Sequence, residues 1–270
     1  MNRSPKLGAL GLLLLVAAAS AVGQSAYQVV RVDDGGKVVG TVKWSGPLPH
    51  LSRFSITKDP QVCDPEQQKT VDLERLVIGA QGGVANTVVF LQDITHGKAM
   101  NFPAPRRHLD QKHCRYEPHI LLVPQSGVLE MKSSDATLHT LHMEGAASYN
   151  LPFPFPDRVI ERTMSEAGLV TLRCNGGHTW MNAEMVVAPH PYYAVTDESG
   201  HFELTGVPPG TYTLVAWHEG WKLLGIRPAI DVLTENHVQR PIFTEPRTWQ
   251  KKITVMPNAS SEADFTLSEK

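Results

Sequence analysis

Short runs that alternate apolar and polar residues recur along most of this chain, with Gly, Pro, Asn and Asp clustered between them. Examples are KVVGTVKW at 37–44, LVTLRC at 169–174 and TYTLVAWH at 211–218. Alternation with a period of two places successive side chains on opposite faces of a sheet, whereas helical periodicity is scarce here. The 20 prolines and 21 glycines supply the tight connections that many short strands require. The sequence therefore predicts an all-β protein built from two β-sandwiches.

The N-terminus has the features of a secretory signal peptide. Arg3 and Lys6 precede the uncharged run GALGLLLLVAAASAVG, which ends in small residues around Ala21 and Gly23. This run is shorter than the roughly 20 residues that span a bilayer, which disfavours the alternative of an uncleaved membrane anchor. We therefore predict that residues 1–23 are a signal peptide, that no membrane span is left after cleavage, and that the protein is periplasmic or secreted.

Charge and motif content exclude several classes of function. The full chain has 25 Lys and Arg, so 23 remain after Arg3 and Lys6 are removed, against 27 Asp and Glu. No basic run occurs, and nucleic acid is therefore not an expected partner. The chain also has no nucleophile elbow, zinc-protease motif, phosphate-binding loop or dinucleotide fingerprint, so no enzymatic activity is predicted.

Three cysteines in an exported chain leave one thiol unpaired. Cys63 and Cys114 could form a disulfide in an oxidising compartment, which leaves Cys174 alone. Bound metal gives a thiolate a reason to stay unpaired. In the alternative interpretation, Cys174 pairs with one of the other two cysteines and the chain holds no metal.

A compact set of metal-binding side chains surrounds Cys174. The run LRCNGGHTWMNAEMVV places Cys174, His178 and Met181 in a C-x3-H-x2-M pattern, on a loop between two predicted strands. Upstream, the run LHTLH supplies a further imidazole from His139 or His142. One thiolate, two imidazoles and a weak thioether are the ligands of a mononuclear blue-copper site. The alternative is a buried cysteine beside unrelated residues; we predict a copper site.

The segment that contains these residues, 108–189, resembles the cupredoxin (plastocyanin-like) family. It includes HILLVPQSGVLEMKSSDATLHTLH followed by LVTLRCNGGHTWMNAEMVV. Cupredoxins place one histidine at the end of an upstream strand and the other ligands on the loop that joins the last two strands. The resemblance implies a Greek-key β-sandwich that binds copper through His139, Cys174, His178 and an axial Met181.

The choice between the two upstream histidines follows from strand geometry and from the resemblance. His139 and His142 are three residues apart, so in an extended strand they face opposite sides and only one can approach Cys174. The family pattern favours His139. Thr140 stands where many cupredoxins have an asparagine whose amide ties the two ligand loops together. If the site carries electrons, we expect an exposed edge of the loop bearing His178 to exchange them with a partner.

The remaining chain resembles a second family. AVTDESGHFELTGVPPGTYTLVAWHEGW at 194–221 resembles the second half of a carboxypeptidase regulatory-like domain, a transthyretin-like sandwich, and 35–44 and 85–94 resemble its opening strands. About a hundred residues separate these two parts, so we predict that the cupredoxin module is inserted into a loop of this sandwich. The predicted domains are 24–99 together with 190–270, and 100–189. The alternative is two domains in tandem.

The functional prediction is an exported type 1 copper protein that carries one electron to or from a redox partner protein. The first alternative is an envelope module that binds carbohydrate or another envelope protein and holds only structural or vestigial copper. In that case Tyr212, Trp217 and Trp221 could form a sugar-stacking face, although aromatic residues at alternating strand positions usually belong to a core. The second alternative is a copper-trafficking protein.

Overall fold

The computed structural model describes residues 27–102 and 107–269, so the predicted signal peptide lies outside the described residues. These residues form short strands and one four-residue helix, α1 (Pro60–Cys63), and the all-β prediction is confirmed. No helix within the described ranges has the length and apolar character needed to cross a membrane.

The strands fall into three groups along the chain. Before residue 103 they are β1 (Gln28–Val29), β2 (Gly36–Trp44), β3 (Phe54–Ser55), β4 (Thr70–Val71), β5 (Val88–Gln92) and β6 (His96–Gly97). Between residues 107 and 189 they are β7 (His108–Lys112), β8 (Arg115–Glu117), β9 (Ile120–Pro124), β10 (Val128–Ser133), β11 (His139–Gly145), β12 (Tyr149–Phe153), β13 (Ile160–Thr163), β14 (Gly168–Cys174) and β15 (Asn182–Ala188). After residue 189 they are β16 (Tyr193–Val195), β17 (His201–Val207), β18 (Gly210–His218), β19 (Leu223–Ile230), β20 (His237–Phe243), β21 (Arg247–Val255), β22 (Ser260–Glu262) and β23 (Phe265–Leu267).

Strands β7–β15 form two sheets that we call the central sandwich. One sheet has the order β13-β10-β7-β8 and the other has the order β12-β11-β14-β15-β9. Their inward-facing side chains, such as Leu129 and Met131 from the first sheet and Leu141 and Leu172 from the second, belong to one buried apolar cluster. Burial of this apolar surface is the main force that holds the two sheets together.

A second pair of sheets, the flanking sandwich, is built from strands on both sides of the central sandwich in the sequence. Its sheets have the orders β16-β5-β18-β21 and β17-β2-β22, and β23 also pairs with β2. Val38 and Phe202 from one sheet pack with Leu91 and Leu214 from the other in a separate buried cluster. Pairing of β2 and β5 with strands beyond residue 190 fits the predicted insertion, but the domain boundaries stay a prediction.

Residues 54–73 pack differently from the rest of the segment 24–99 to which we assigned them. Phe54 and Val62 pack against the core of the central sandwich, and Val71 is buried within it. Cys63 and Cys114 form the disulfide that the sequence left as one of two alternatives, and Cys174 is the free, buried cysteine. This segment is therefore tied covalently to the central sandwich, close to the predicted metal ligands.

A buried polar network joins the two sandwiches. The Glu219 carboxylate, at the end of β18, bonds His119 of the central sandwich and lies 2.7 Å from the Arg75 guanidinium. Arg75 also donates to the Gly220 carbonyl at 2.6 Å and to the Asn182 side-chain oxygen at 2.8 Å. Each charge in this water-poor junction therefore has an opposite charge or a hydrogen-bond partner, as buried charges require.

Glu184 is a second carboxylate near this junction, and it predicts a specific pH dependence of stability. Burial, and then the charge of Glu219, raise the pKa of Glu184 from 4.5 to about 7. The folded protein thus keeps a proton that the unfolded chain releases, so the free energy of unfolding should fall by about 3 kcal/mol between pH 4.5 and about 7. Urea unfolding across this range should show a smaller fall in Glu184→Gln, and an equal fall in both proteins would contradict the assignment.

Candidate metal centre

Two adjacent strands and one loop bring three donor side chains together. His139 begins β11, Cys174 ends β14, and Leu141 of β11 lies opposite Cys174 in the pairing register. Along β14 the buried positions alternate, and Cys174 shares the inward face with Val170 and Leu172. The thiol is therefore directed into the end of the central core, where the following loop returns with His178.

The donor atoms lie close enough to share one metal ion. The Nδ1 atoms of His139 and His178 are 3.2 Å apart, and Cys174 Sγ lies 3.8 Å from His178 Nδ1. One donor atom from each of the three residues lies within 4.8 Å of the other two, and all three side chains are fully buried. His139, not His142, is the upstream histidine that the structure brings to this cluster.

Asp135 orients His139, and sequence reasoning missed this residue. Asp135 Oδ2 accepts a hydrogen bond from His139 Nε2 at 2.9 Å. The carboxylate is itself fixed by the backbone N–H groups of His113 and Cys114, at 2.7 and 2.8 Å. Because Nε2 carries the proton in this bond, the Nδ1 lone pair of neutral His139 faces the centre. A carboxylate four residues before the ligand is the signal that could have found it.

Asp59 plays the same part for His178 from a distant part of the chain. Asp59 Oδ2 accepts from His178 Nε2 at 2.9 Å and from the Thr137 hydroxyl at 2.7 Å. Both histidines therefore direct Nδ1 towards Cys174 and bond a carboxylate through Nε2. Such carboxylate partners fix the ring orientation and raise the basicity of a metal-binding imidazole. Asp59 and His178 are 119 positions apart in the sequence, and no motif links them.

The Cys174 sulfur lies in a defined hydrogen-bonding environment. The backbone N–H of Gly176 donates to Sγ at 3.4 Å, and the Thr140 hydroxyl lies 3.9 Å from it. The same hydroxyl accepts from the Asn175 backbone N–H at 2.9 Å. Thr140 thus ties its strand to the loop after Cys174, at the position where the resemblance led us to look for an asparagine.

Electrostatics favour a thiolate in the metal-free site. Burial raises the pKa of the Cys174 thiol, but hydrogen bonds with His139 and His178 outweigh burial and hold it well below its ordinary value. Burial lowers the pKa of His139, yet the hydrogen bonds that His139 donates to Asp135 and Cys174 raise it to about 9. A metal cation would replace the His139 proton, because metal ligands must be thiolate and neutral imidazole. The donor set therefore fits a copper ion once His139 has lost its proton, because the Cys174 thiol is already held as a thiolate.

Met181 closes the loop beside these donors. Its backbone N–H donates to the His178 carbonyl at 3.0 Å, and its side chain is buried in the central core. The Trp180 ring meets His178 edge-on at 5.4 Å between centroids and donates from Nε1 to the Cys114 carbonyl at 3.2 Å. Met181 is thus buried next to the loop that bears His178, and its role as an axial ligand stays a prediction.

The expectation that the loop bearing His178 has an exposed edge at this histidine is wrong, because the His178 side chain is fully buried. Lys58 Nζ donates to the Gly176 carbonyl at 2.7 Å and pairs with Asp231 at 2.6 Å. Gly177, with a left-handed φ of 88°, allows this close approach, since a Cβ there would lie 2.5 Å from the Asp231 carboxylate. Segments distant in sequence therefore cover the loop, which its local motif could not reveal.

One family model matches part of the chain. It describes polysaccharide lyase family 4, domain II, and it matches residues 164–238, which is less than a third of the chain. This family differs from the carboxypeptidase regulatory-like domain that the sequence resembled. No curated protein matches the chain.

Three solved structures are similar to part of this chain. A copper-containing nitrite reductase from Thermus scotoductus SA-01 is 15% identical over 34% of this chain and 24% of its own, with a TM-score of 0.28. A reduced mutant of amicyanin is 22% identical over 33% of this chain and 87% of its own, with a TM-score of 0.29. A purple cupredoxin from Nitrosopumilus maritimus is 17% identical over 30% of this chain and 98% of its own, with a TM-score of 0.27. Since the TM-scores are below 0.5, neither a metal nor an activity follows from these similarities.

Proposed function

We propose that this chain is an exported mononuclear type 1 copper protein that carries single electrons between redox partner proteins. The observation that supports it is the convergence of Cys174 Sγ with the Nδ1 atoms of His139 and His178 in a buried site. A thiolate with two imidazoles in one plane and a weak axial ligand suits copper in both of its common oxidation states. Bound copper would supply reversible one-electron chemistry, and Met181 would be the axial ligand.

The residues around the donors would keep the site rigid. Asp135 and Asp59 hold the two imidazoles, while Gly176 and Thr140 hold the sulfur and its loop. A site whose ligands are fixed in advance needs little rearrangement when its charge changes, which favours fast electron exchange. Burial of all three donors keeps water away from the sulfur.

Asp59 is the proposed point of contact with the redox partner. Its carboxylate bonds His178 directly, and its side chain is 27% exposed, whereas His178 itself has no exposed surface. An electron that leaves through His178 therefore has a short hydrogen-bonded route to the surface at Asp59. The partner would dock there through a small, transient interface.

Cu(II) titration of the mature chain, compared with Cys174→Ser, tests the proposal. We expect one equivalent of Cu(II) to produce an intense visible thiolate-to-copper absorption with reversible one-electron reduction, and we expect the variant to lack it. Serine is nearly the same size, and the Cys63–Cys114 disulfide stays intact, so the variant changes only the thiolate. Identical spectra from both proteins, or tight binding of Zn²⁺ alone, would contradict a type 1 copper site.

A second candidate function, carbohydrate binding, is favoured only by the match to the polysaccharide lyase domain. Trp221 cannot stack on a sugar, because it is buried edge-on against Trp44. Trp217 is half-buried and lines an apolar cleft of about 280 Å³ together with Phe90 and Tyr193. If this function holds, metal-free protein should bind a soluble polysaccharide and Trp217→Ala should lose that binding, with Cys174→Ser unaffected.

A further inference from the structure

A polar cleft of about 410 Å³ opens beside the metal centre, between the β19–β20 hairpin and the central sandwich. Four arginines line it: Arg75, Arg173, Arg227 and Arg240. Like charges on one cavity repel one another, and the repulsion is stronger for the buried Arg240 than for the exposed Arg227. Whether each guanidinium group has a carboxylate partner therefore indicates whether this cleft can bind an anion.

Two of the four guanidinium groups have carboxylate partners. Arg75 pairs with Glu219 at 2.7 Å, and Arg173 pairs with Glu144 at 3.0 Å near the surface. Arg240 has no carboxylate partner among the described residues: it donates to the Cys174 carbonyl at 3.0 Å and to the Asn175 side-chain oxygen at 3.2 Å. Both of these acceptors are neutral.

Arg227 forms no hydrogen bond or ion pair through its side chain with any residue in 27–102 or 107–269. It also lies directly opposite Arg240 in the register of the hairpin. Like charges at opposed positions of an antiparallel pair are destabilising. Arg173 lines the same cleft as this opposed pair. Burial first, and then the charge of Arg173, lower the pKa of Arg240, and they outweigh the nearby Cys174 charge, which raises it.

The carboxylates that line the cleft leave this positive charge largely uncompensated. Glu184 is buried and, with a pKa of about 7, carries only part of its charge at neutral pH. Glu245 is exposed at the edge. An arrangement that costs stability in the free protein is expected where it serves a ligand.

We propose that this cleft binds a small organic oxyanion with at least two carboxylates, held by Arg173, Arg227 and Arg240. Guanidinium groups present paired N–H donors that match the two oxygens of a carboxylate. Pro241, Ile242 and the Phe243 ring, which also line the cleft, would contact the carbon skeleton. The volume lies within the range of small-molecule pockets.

This site does not depend on copper, although it adjoins the copper loop. Arg240 bonds the carbonyl of Cys174, so an anion held by Arg240 would lie next to the residue that supplies the thiolate. Anion binding can therefore be measured on the metal-free protein, and its failure would leave the proposed copper function untouched.

Calorimetric titration of the metal-free mature chain with citrate, at constant ionic strength, tests the proposal. We expect citrate to bind one site, and we expect Arg227→Gln to weaken it about tenfold or more, because a charge-assisted hydrogen-bond pair is lost. Arg158→Gln is the matched control, since Arg158 is exposed and does not line the cleft. Arg173→Gln is a second, independent variant with the same expected direction.

Three results would overturn the proposal. They are no binding of citrate to the unaltered chain, equal binding by Arg227→Gln and the unaltered chain, or binding of inorganic sulfate as tight as that of citrate. Loss of folding is not expected to confuse the test, because removal of Arg227 also removes a like-charge pair. Thermal unfolding without ligand should therefore show Arg227→Gln to be at least as stable as the unaltered chain.

Discussion

Replacement of both Asp59 and Asp135 by asparagine is expected to weaken copper binding by about 10²–10⁴-fold. Each carboxylate bonds the Nε2–H of a different histidine, and loss of such a partner typically costs about 10–100-fold in metal affinity. The two effects should multiply, because the carboxylates act on separate imidazoles. Asparagine keeps the side-chain size and can still accept a hydrogen bond, so the change is mainly one of charge. Competition with a chelator of known copper affinity measures the result.

Asp33→Asn is a suitable control for each single variant, since Asp33 is exposed and pairs with the exposed Arg31. It removes one negative charge, as each single variant does, and should leave copper affinity unchanged. Each single variant, Asp59→Asn and Asp135→Asn, should give roughly half of the combined loss in free energy. An affinity of the double variant within about threefold of the unaltered chain would show that the carboxylates do not support the donors.

The proximity of the donor residues on one loop could be predicted from the sequence, because local geometry alone brings them together. Cys174 and His178 lie on a loop between two paired strands, so four residues suffice to place both side chains at one end of the core. His139 required the family pattern as well, since strand alternation left His142 as an equal alternative. In the structure His139, and not His142, lies beside Cys174 and His178, and its role as a ligand stays a prediction.

What surrounds the ligands could not be predicted, because it comes from packing between distant segments. Asp59 belongs to a segment that looked like part of the other sandwich, and the disulfide at Cys63 draws it onto the central one. Asp231 belongs to the β19–β20 hairpin and reaches the loop that bears His178 through Lys58. These contacts reverse the expectation of an exposed histidine, since a loop motif carries no information about what covers it.

The junction between the sandwiches shows the same limit for buried charge. The run AWHEGW lies at the end of a strand, and nothing in it indicates that Glu219 meets Arg75, 144 positions earlier, and His119. Side chains of this kind are usually exposed, and only the completed fold shows their burial. The contribution of this buried carboxylate to the free energy of unfolding is large enough to be measured.

Glu219→Gln is expected to lower the free energy of unfolding by about 3–5 kcal/mol at neutral pH. The amide keeps the size of the side chain but leaves the Arg75 cation and His119 without their counter-charge inside the junction. Removal of one partner of a buried ion pair is costly, because the other charge stays buried and unpaired. Urea unfolding followed by tryptophan fluorescence measures the change.

The pH dependence separates this charge effect from a simple packing defect. Burial raises the pKa of Glu219, but the charges of His119 and Arg75 outweigh burial and hold it below its ordinary 4.5. The stabilisation is therefore complete above pH 4.5 and is lost as the pH falls through the lowered pKa, so the two proteins should converge in acid. Glu203→Gln, which disrupts only the exposed pair with Lys37, should change stability by less than about 1 kcal/mol. A constant difference between Glu219→Gln and the unaltered chain at every pH would assign the loss to packing instead.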